Sequence, residues 1–374
     1  MVSFGVDAFW RHSLESSEGV RVFRYDDPAL TADLVARTPD LAWIQHQLIP
    51  EALLRNPGQT TFLFHHMSAM HPGEFPIAYR IETALASAVV FAAPETRDAQ
   101  TASHLLDEVD TSRLAVFGNP APDAFAFERA SYSASLRRLL VVSNHLPPEL
   151  SEAMHRLRDR VEVRVRGNES GNGGGSSRIG PADIEWADGV VSIGKTVQYA
   201  LVSGTPIYCY DYFGGPGWLS APNLDAARYA NFSGRGFDGK TAPQIADELV
   251  SGFLDAQSFA IEFRATAVDQ YVLSSAMKRL LASLRPLRAS NLPEADIASH
   301  QRLQDQRRIF INVAAAREGE AAALAATNRE LHHEIQRLTA KSDELDQVRS
   351  SRSYSLVQTL ARARRLGRRS PPIG

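Results

Sequence analysis

Short, uninterrupted apolar runs alternate with longer amphipathic stretches from residue 20 to residue 284, and the alternation stops once and then restarts. In the first series the runs predict strands over 20–24, 41–45, 61–65, 88–92 and 114–117, with helices over 29–37, 76–86 and 98–107 between them. Strands that read as continuous apolar runs are buried on both faces, which is the pattern of a parallel sheet covered by crossover helices. Residues 118–127, GNPAPDAFAF, hold two prolines and break the series. It then resumes with strands over 136–145, 161–165, 189–193 and 207–210, and helices over 148–158, 196–202, 241–254 and 258–284. The expectation is an α/β chain with two Rossmann-like domains facing a cleft, residues 1–120 and 121–287. Residues 1–17 offer no clear first strand and no glycine-rich first turn, so the first domain is expected to open in abbreviated form. MVSFGVDAFWRH has no basic region followed by an apolar stretch, which argues against a signal peptide.

The pattern changes again after residue 298. Residues 299–348 contain one glycine, Gly319, and no proline. Leu324, Leu331, Leu338 and Leu345 recur every seven residues, with Ile335 four after Leu331, and Ala321, Asn328, Ser342 and Arg349 fill the other seam positions. This predicts a coiled-coil helix over 299–348 able to join two copies of the chain, or a solvated helix packing its leucines on its own body. Residues 349–374 carry seven arginines and no acidic residue, which leaves −10 on the rest of a chain whose total is −3. Tyr354, Leu356, Val357, Leu360 and Leu366 alternate there with Arg362, Arg364, Arg365, Arg368 and Arg369. A basic amphipathic tail of this kind suits an anionic membrane surface, and a solvated end is the plainer reading.

The acidic body argues against nucleic acid as a partner. Cys209 is the only cysteine, so there is no intramolecular disulfide and no multi-cysteine zinc site, as suits a reducing cytoplasm. No run reaches the roughly 20 apolar residues of a membrane-spanning helix. The glycine-rich residues 167–177, GNESGNGGGSS, lack the order of a nucleoside-triphosphatase loop, and fit a surface loop better than a ligand loop.

Ligands of open parallel sheets bind beyond the carboxyl ends of the strands. Two segments there carry candidate chemistry. In residues 187–211, a strand ends at Ser192-Ile193-Gly194-Lys195-Thr196 and a helix begins. Gly194 allows close backbone approach, and the helix start with the Lys195 ammonium favours an anion such as a diphosphate. Thr196 suits a helix cap or a phosphate ligand. In residues 210–219, YDYFGGPGWL, Asp211 is a candidate acceptor for sugar hydroxyls. Gly214, Gly215 and Gly217 predict a loop close to a ligand, and Tyr210, Tyr212 or Trp218 offers a stacking face. A strand-end turn explains the same residues without a ligand.

The run SIGKTVQYALVSGTPIYCYDYFGGPGWL, followed by NFSGRGF over 231–237, resembles the C-terminal half of bacterial glycosyltransferases of the two-domain GT-B type, in the branch found among cell-surface polysaccharide enzymes. LLVVSNHLPPEL, GNPAPDAF and the first-domain segment FHHMSAMHPGE are similar to other parts of that architecture, so the resemblance spans residues 61–254. It implies transfer of a sugar from a nucleotide-diphosphate donor to a saccharide or lipid-linked acceptor hydroxyl, in cell-envelope polysaccharide or glycolipid assembly. No metal and no cofactor beyond the donor substrate is implied. Lys195, Gly194, Thr196 and Ser192 would meet the diphosphate, Asp211 and the glycine loop the sugar, and Arg235 a phosphate or a surface carboxylate. His65, His66, His71 and Glu74 follow a first-domain strand. His66, with His65 beside it, is the candidate general base, while satisfied structural histidines are the plainer reading; their spacing matches no zinc pattern. No Glu-x7-Glu pair follows the glycines, so the commonest retaining pattern is missing. The location expected is cytoplasmic, peripheral on the inner face of the plasma membrane. Two rivals share the architecture: a nucleotide-sugar-binding scaffold without catalysis, and a nucleotide-sugar epimerase.

Overall fold

A computed structural model describes residues 2–3, 14, 16–25, 27–71, 74–167, 179–285, 292–350 and 360–361. The chain divides into two compact units, Met1–Gln301 and Arg302–Gly374. The first holds two parallel-sheet lobes, the α/β architecture expected from the alternation. Strands β1 (Val2–Ser3) and β2 (Phe23–Arg24) form a separate two-residue parallel pair. The first main sheet is β3 (Leu41–Gln45), β4 (Thr61–His66), β5 (Ala86–Phe91) and β6 (Leu114–Val116), in that spatial order and all parallel. Its two faces sort the apolar residues with a period of two. Phe62, Phe64, Val89 and Phe91 enter one core, Leu63, Ala88 and Val90 the other.

The second main sheet has the order β11 (Gly214–Trp218), β10 (Ile207–Asp211), β9 (Gly189–Ser192), β7 (Arg138–Val142), β8 (Glu162–Arg166). All neighbours pair parallel except β11, which is antiparallel to β10. Here Leu140, Val190 and Cys209 pack on one face and Leu139, Val141, Val191 and Tyr210 on the other. Asp188, just before β9, accepts from the Arg137 and Arg138 amides at 3.0 and 2.8 Å, and so sets where β7 enters the sheet.

Two expectations are corrected. The helix expected over 258–284 is two helices, Phe253–Tyr271 and Leu273–Ser283. Val272 between them is extended, and Ala121 clamps the break: its amide donates to Tyr271 O at 2.7 Å and its carbonyl accepts from Leu273 N at 2.8 Å. The two chain crossings between the lobes therefore lie side by side. Ala276 and Leu280 of the second helix close the apolar face of the first sheet that carries Leu63 and Val90. The glycine-rich 214–217 segment, expected as a loop, is part of β11. A Cβ on Gly215 would sit 2.0 Å from the Cys209 carbonyl oxygen, so glycine is what lets this edge strand approach β10. Pro216 is tolerated because, among the described residues, the strand has no further neighbour.

A helix runs over Glu294–Ser350. Leu324, Leu331, Ile335, Leu338 and Leu345 on it are each more than half exposed. No helix among the described residues is long and apolar enough to cross a membrane. Most of the glycine-rich 167–177 segment, and of the tail from residue 351 on, lies outside the described residues.

Candidate functional site

Strands β7, β9 and β10 all end on one edge of the second sheet, and the residues that follow them line a cavity of about 770 Å³. Ser143, Asn144 and His145 come from β7, Ser192, Lys195 and Thr196 from the β9 turn, and Asp211, Tyr212 and Phe213 from the end of β10. Topology, not proximity in the chain, assembles these three turns.

The β9 turn supplies positive charge. Gly194 takes φ +60° and ψ −134°, a combination that strains any other residue, and swings the chain into the helix Lys195–Ser203. The first amides of that helix have no acceptor within it, and its positive end faces the cavity lining. Lys195 is exposed and, among the described residues, pairs with no carboxylate. Two roles expected here are reassigned. The Gly194 amide donates to Phe232 O at 2.9 Å, so Gly194 shapes the turn and its N–H is spent. The Ser192 hydroxyl donates to Val142 O at 2.9 Å and ties β9 to β7. Thr196 stays half-buried in the lining.

Opposite lies a carboxylate. Asp211 is 8% exposed, and the Ser143 hydroxyl stands 3.3 Å from both its oxygens while the Tyr212 amide donates to Oδ1 at 2.9 Å. Burial pushes its carboxyl above the usual range, only partly offset by those donors. Ser143 was not singled out in the sequence; being the first polar residue after a buried strand is its signal. Gly214, Gly215 and Gly217 do not reach the cavity lining, because they are spent on β11. Of the expected stacking groups, Tyr210 is buried with its hydroxyl 3.0 Å from Glu149, and the Trp218 indole donates to Glu248 O at 2.9 Å. Tyr212 remains, 78% exposed, joined by Phe213 at 53% in an edge-to-face pair with centroids 5.5 Å apart. Arg235 lies at the rim, 6.0 Å from the Phe213 ring centre. Its guanidinium is taken by Glu95 of the first lobe in a two-pronged ion pair, the surface-carboxylate outcome of the two expected for it.

The first-lobe histidines are not brought to this cavity. His66 is 2% exposed, with Nδ1 2.6 Å from the Glu74 carbonyl and Nε2 2.7 Å from Glu82 Oε1. A carbonyl only accepts, so Nδ1 carries a proton and Nε2 shares one with Glu82. Burial opposes protonation, but the Glu82 carboxylate outweighs it and holds the imidazole above its ordinary pKa. His65 packs against Trp43 and Phe117, and burial pushes its pKa down to about 4. Both are core groups, which rules out the acceptor-facing base expected of His66. His46, one of the exposed imidazoles of this lobe, pairs with buried Glu74 at 2.6 Å. It was missed because its partner lies 28 residues further along the chain.

No family model matches the chain, and no curated protein matches it. Solved structures do. HepE of Anabaena, in complex with UDP, is 14% identical, over 76% of this chain and 90% of its own, with a TM-score of 0.46. A glycosyltransferase from Rickettsia africae is 10% identical over 75% and 88%, with a TM-score of 0.46. CalG4, the calicheamicin glycosyltransferase, is 12% identical over 74% and 89%, with a TM-score of 0.42. Likeness at these values extends no further than the arrangement of the chain.

Proposed function

We propose that this chain is a glycosyltransferase that binds a nucleotide-diphosphate sugar in the second-lobe cavity and moves the sugar to an acceptor hydroxyl. The observation that carries the reading is the meeting, in one cavity, of a helix N-terminus and Lys195 on one side with buried Asp211 on the other. The first pair suits a diphosphate and stabilises the charge that grows on it as the glycosidic bond breaks. Asp211 suits sugar hydroxyls, and Tyr212 with Phe213 offers faces to a nucleobase. These positive groups meet the diphosphate without calling on a metal. The test is a panel of nucleotide-diphosphate sugars incubated with full-length protein and followed by mass spectrometry. Released nucleotide with the sugar on an acceptor or on water is expected. Tight binding without turnover would make the chain a nucleotide-sugar-binding scaffold, and an isomerised donor would make it an epimerase.

The C-terminal part extends the reading. We propose that the exposed leucine seam of the helix Glu294–Ser350 joins two copies, and that the arginine-rich tail docks both on the anionic inner face of a plasma membrane, where a lipid-linked envelope acceptor is at hand. Five arginines at about 1 kcal/mol each give a nominal attraction of about 5 kcal/mol before ordering costs, and two tails strengthen a marginal anchor. Full-length protein should co-sediment with anionic vesicles at low salt, and a chain ending at Val348 should not. Equal binding by both, or by neither, refutes the docking.

A further inference from the structure

The helix Glu294–Ser350 carries an apolar row that nothing among the described residues covers. Leu324, Leu331, Leu338 and Leu345 recur by sevens, and Phe310, fourteen residues before Leu324, falls on the same row. The row runs from Phe310 to Leu345 for about 50 Å, and these five side chains are 54–73% exposed. Ala314, Ala321, Asn328, Ile335 and Ser342 form a second row, each three residues before a member of the first. Together the rows have the 3.5-residue period of a two-helix seam, and leucine in one row with β-branched Ile335 in the other favours two strands over three. A seam left this open lacks the partner its pattern needs. An identical helix matches its period and phase over all five heptads.

Asn328 decides how the two helices run. In a parallel pair the rows meet like with like, so Asn328 faces Asn328 of the second copy, and each side-chain amide has a donor and an acceptor for the other. In an antiparallel pair each row faces the other, and Asn328 meets a residue of the leucine row. That residue is apolar in every register but one, and burying an amide against it without a partner is costly. The exception sets Asn328 against Arg317. It also sets Leu345 against His300, which is 2% exposed with Nε2 3.2 Å from Ile49 O. The positions beside the seam agree with the parallel pair: Glu334 faces Thr339, Lys341 faces Asp346, and no like charges meet.

We infer that two copies of this chain pair through residues 310–345 as a parallel, in-register coiled coil, with the Asn328 pair as the polar layer that fixes orientation and register. The inference rests on the proposed joining of two copies and adds its geometry. Its consequence is that both arginine-rich tails leave the pair at the same end, where one anionic surface meets the two together. An antiparallel pair sends them to opposite ends.

Crosslinking of the full-length chain through one added cysteine tests this, because the native Cys209 is buried and the wild type should not crosslink. Under mild oxidation Ser342→Cys should form a disulfide-linked dimer, since only parallel, in-register pairing brings both copies of position 342 within the roughly 7 Å that a disulfide spans. In the antiparallel register that sets Asn328 against Leu331, position 342 lies about 37 Å from its counterpart and faces Arg317 instead. Ser342→Cys and Arg317→Cys, mixed while reduced and then oxidised, should each link only to themselves. Disulfides between the two variants, or a dimer with no disulfide at all, overturn the parallel register and leave the joining of two copies standing. A wild-type chain that is monomeric by light scattering overturns the joining and the coiled coil with it. Asn328→Leu should raise the melting midpoint of the pair and yield species larger than a dimer, because the polar layer that restricts the assembly is gone. An Asn328→Leu chain that stays strictly dimeric overturns the role given to Asn328.

Discussion

Lys195→Ala should lower the affinity of the chain for its proposed nucleotide-diphosphate sugar by roughly 10–150-fold. The loss corresponds to one charge-assisted contact, about 1.5–3 kcal/mol. The variant should melt like the wild type, since Lys195 is exposed and, among the described residues, pairs with no carboxylate, and surface changes of that kind stay within about 0.5 kcal/mol. Added salt should weaken wild-type binding more than variant binding, because the lost contact is the screened one. Isothermal calorimetry of both proteins at two salt concentrations checks this. Equal affinities would move the diphosphate away from the β9 turn, and with it the proposed orientation of the donor.

His66→Ala should cost about 3–5 kcal/mol of folding stability, the penalty for leaving one member of a buried ion pair behind. Glu82 is 0% exposed, and with His66 removed its Oε1 loses the partner at 2.7 Å. Replacing both, as His66→Phe with Glu82→Leu, should recover most of the loss, since a packed apolar pair of similar size is often neutral. The pH dependence has a definite sign. The folded-state pKa of His66 is raised above 6.5, so its contribution is complete below that pH and is lost as pH rises through the folded value. Wild-type stability should therefore decline above about pH 6.5 relative to the double variant. Urea denaturation across pH reads both effects. A single variant as stable as the wild type would mean that Glu82 finds another partner.

What could be read along the chain was whatever depends on near neighbours. The strands of both sheets are continuous apolar runs because they are covered on two faces, and their expected positions fall within a few residues of β3 to β10. The anion-favouring turn was legible for the same reason: strand, Gly194, Lys195 and helix follow one another in ten residues, and the positive end of the helix is a local property. Errors arose where a residue's partner is distant. Gly214, Gly215 and Gly217 read as a loop because glycine and proline usually mark one, whereas the Cys209 carbonyl packed against Gly215 makes them an edge strand. An amphipathic pattern runs unbroken through Val272, and only pairing with Ala121, about 150 residues earlier, splits the helix there.

The histidines divide the two kinds of information most sharply. Sequence by itself determined that imidazoles stand at the carboxyl end of a first-lobe strand, that a lysine and a helix start follow β9, and that the C-terminal leucines recur by sevens. Only the tertiary structure decided which imidazole is buried and which is exposed. Glu82 arrives from the helix Tyr79–Leu85 to enclose His66, and Glu74 arrives beneath His46 to orient it outward. Likewise Ser143 meets Asp211 across 68 residues of chain, and Glu95 takes Arg235 across 140. The physical reason is the same each time. A strand or turn is specified by the propensities of adjacent residues, but the protonation, orientation and availability of a polar side chain are set by what is packed within about 3 Å of it, and in a two-lobed parallel-sheet protein those neighbours come from other strands and other helices.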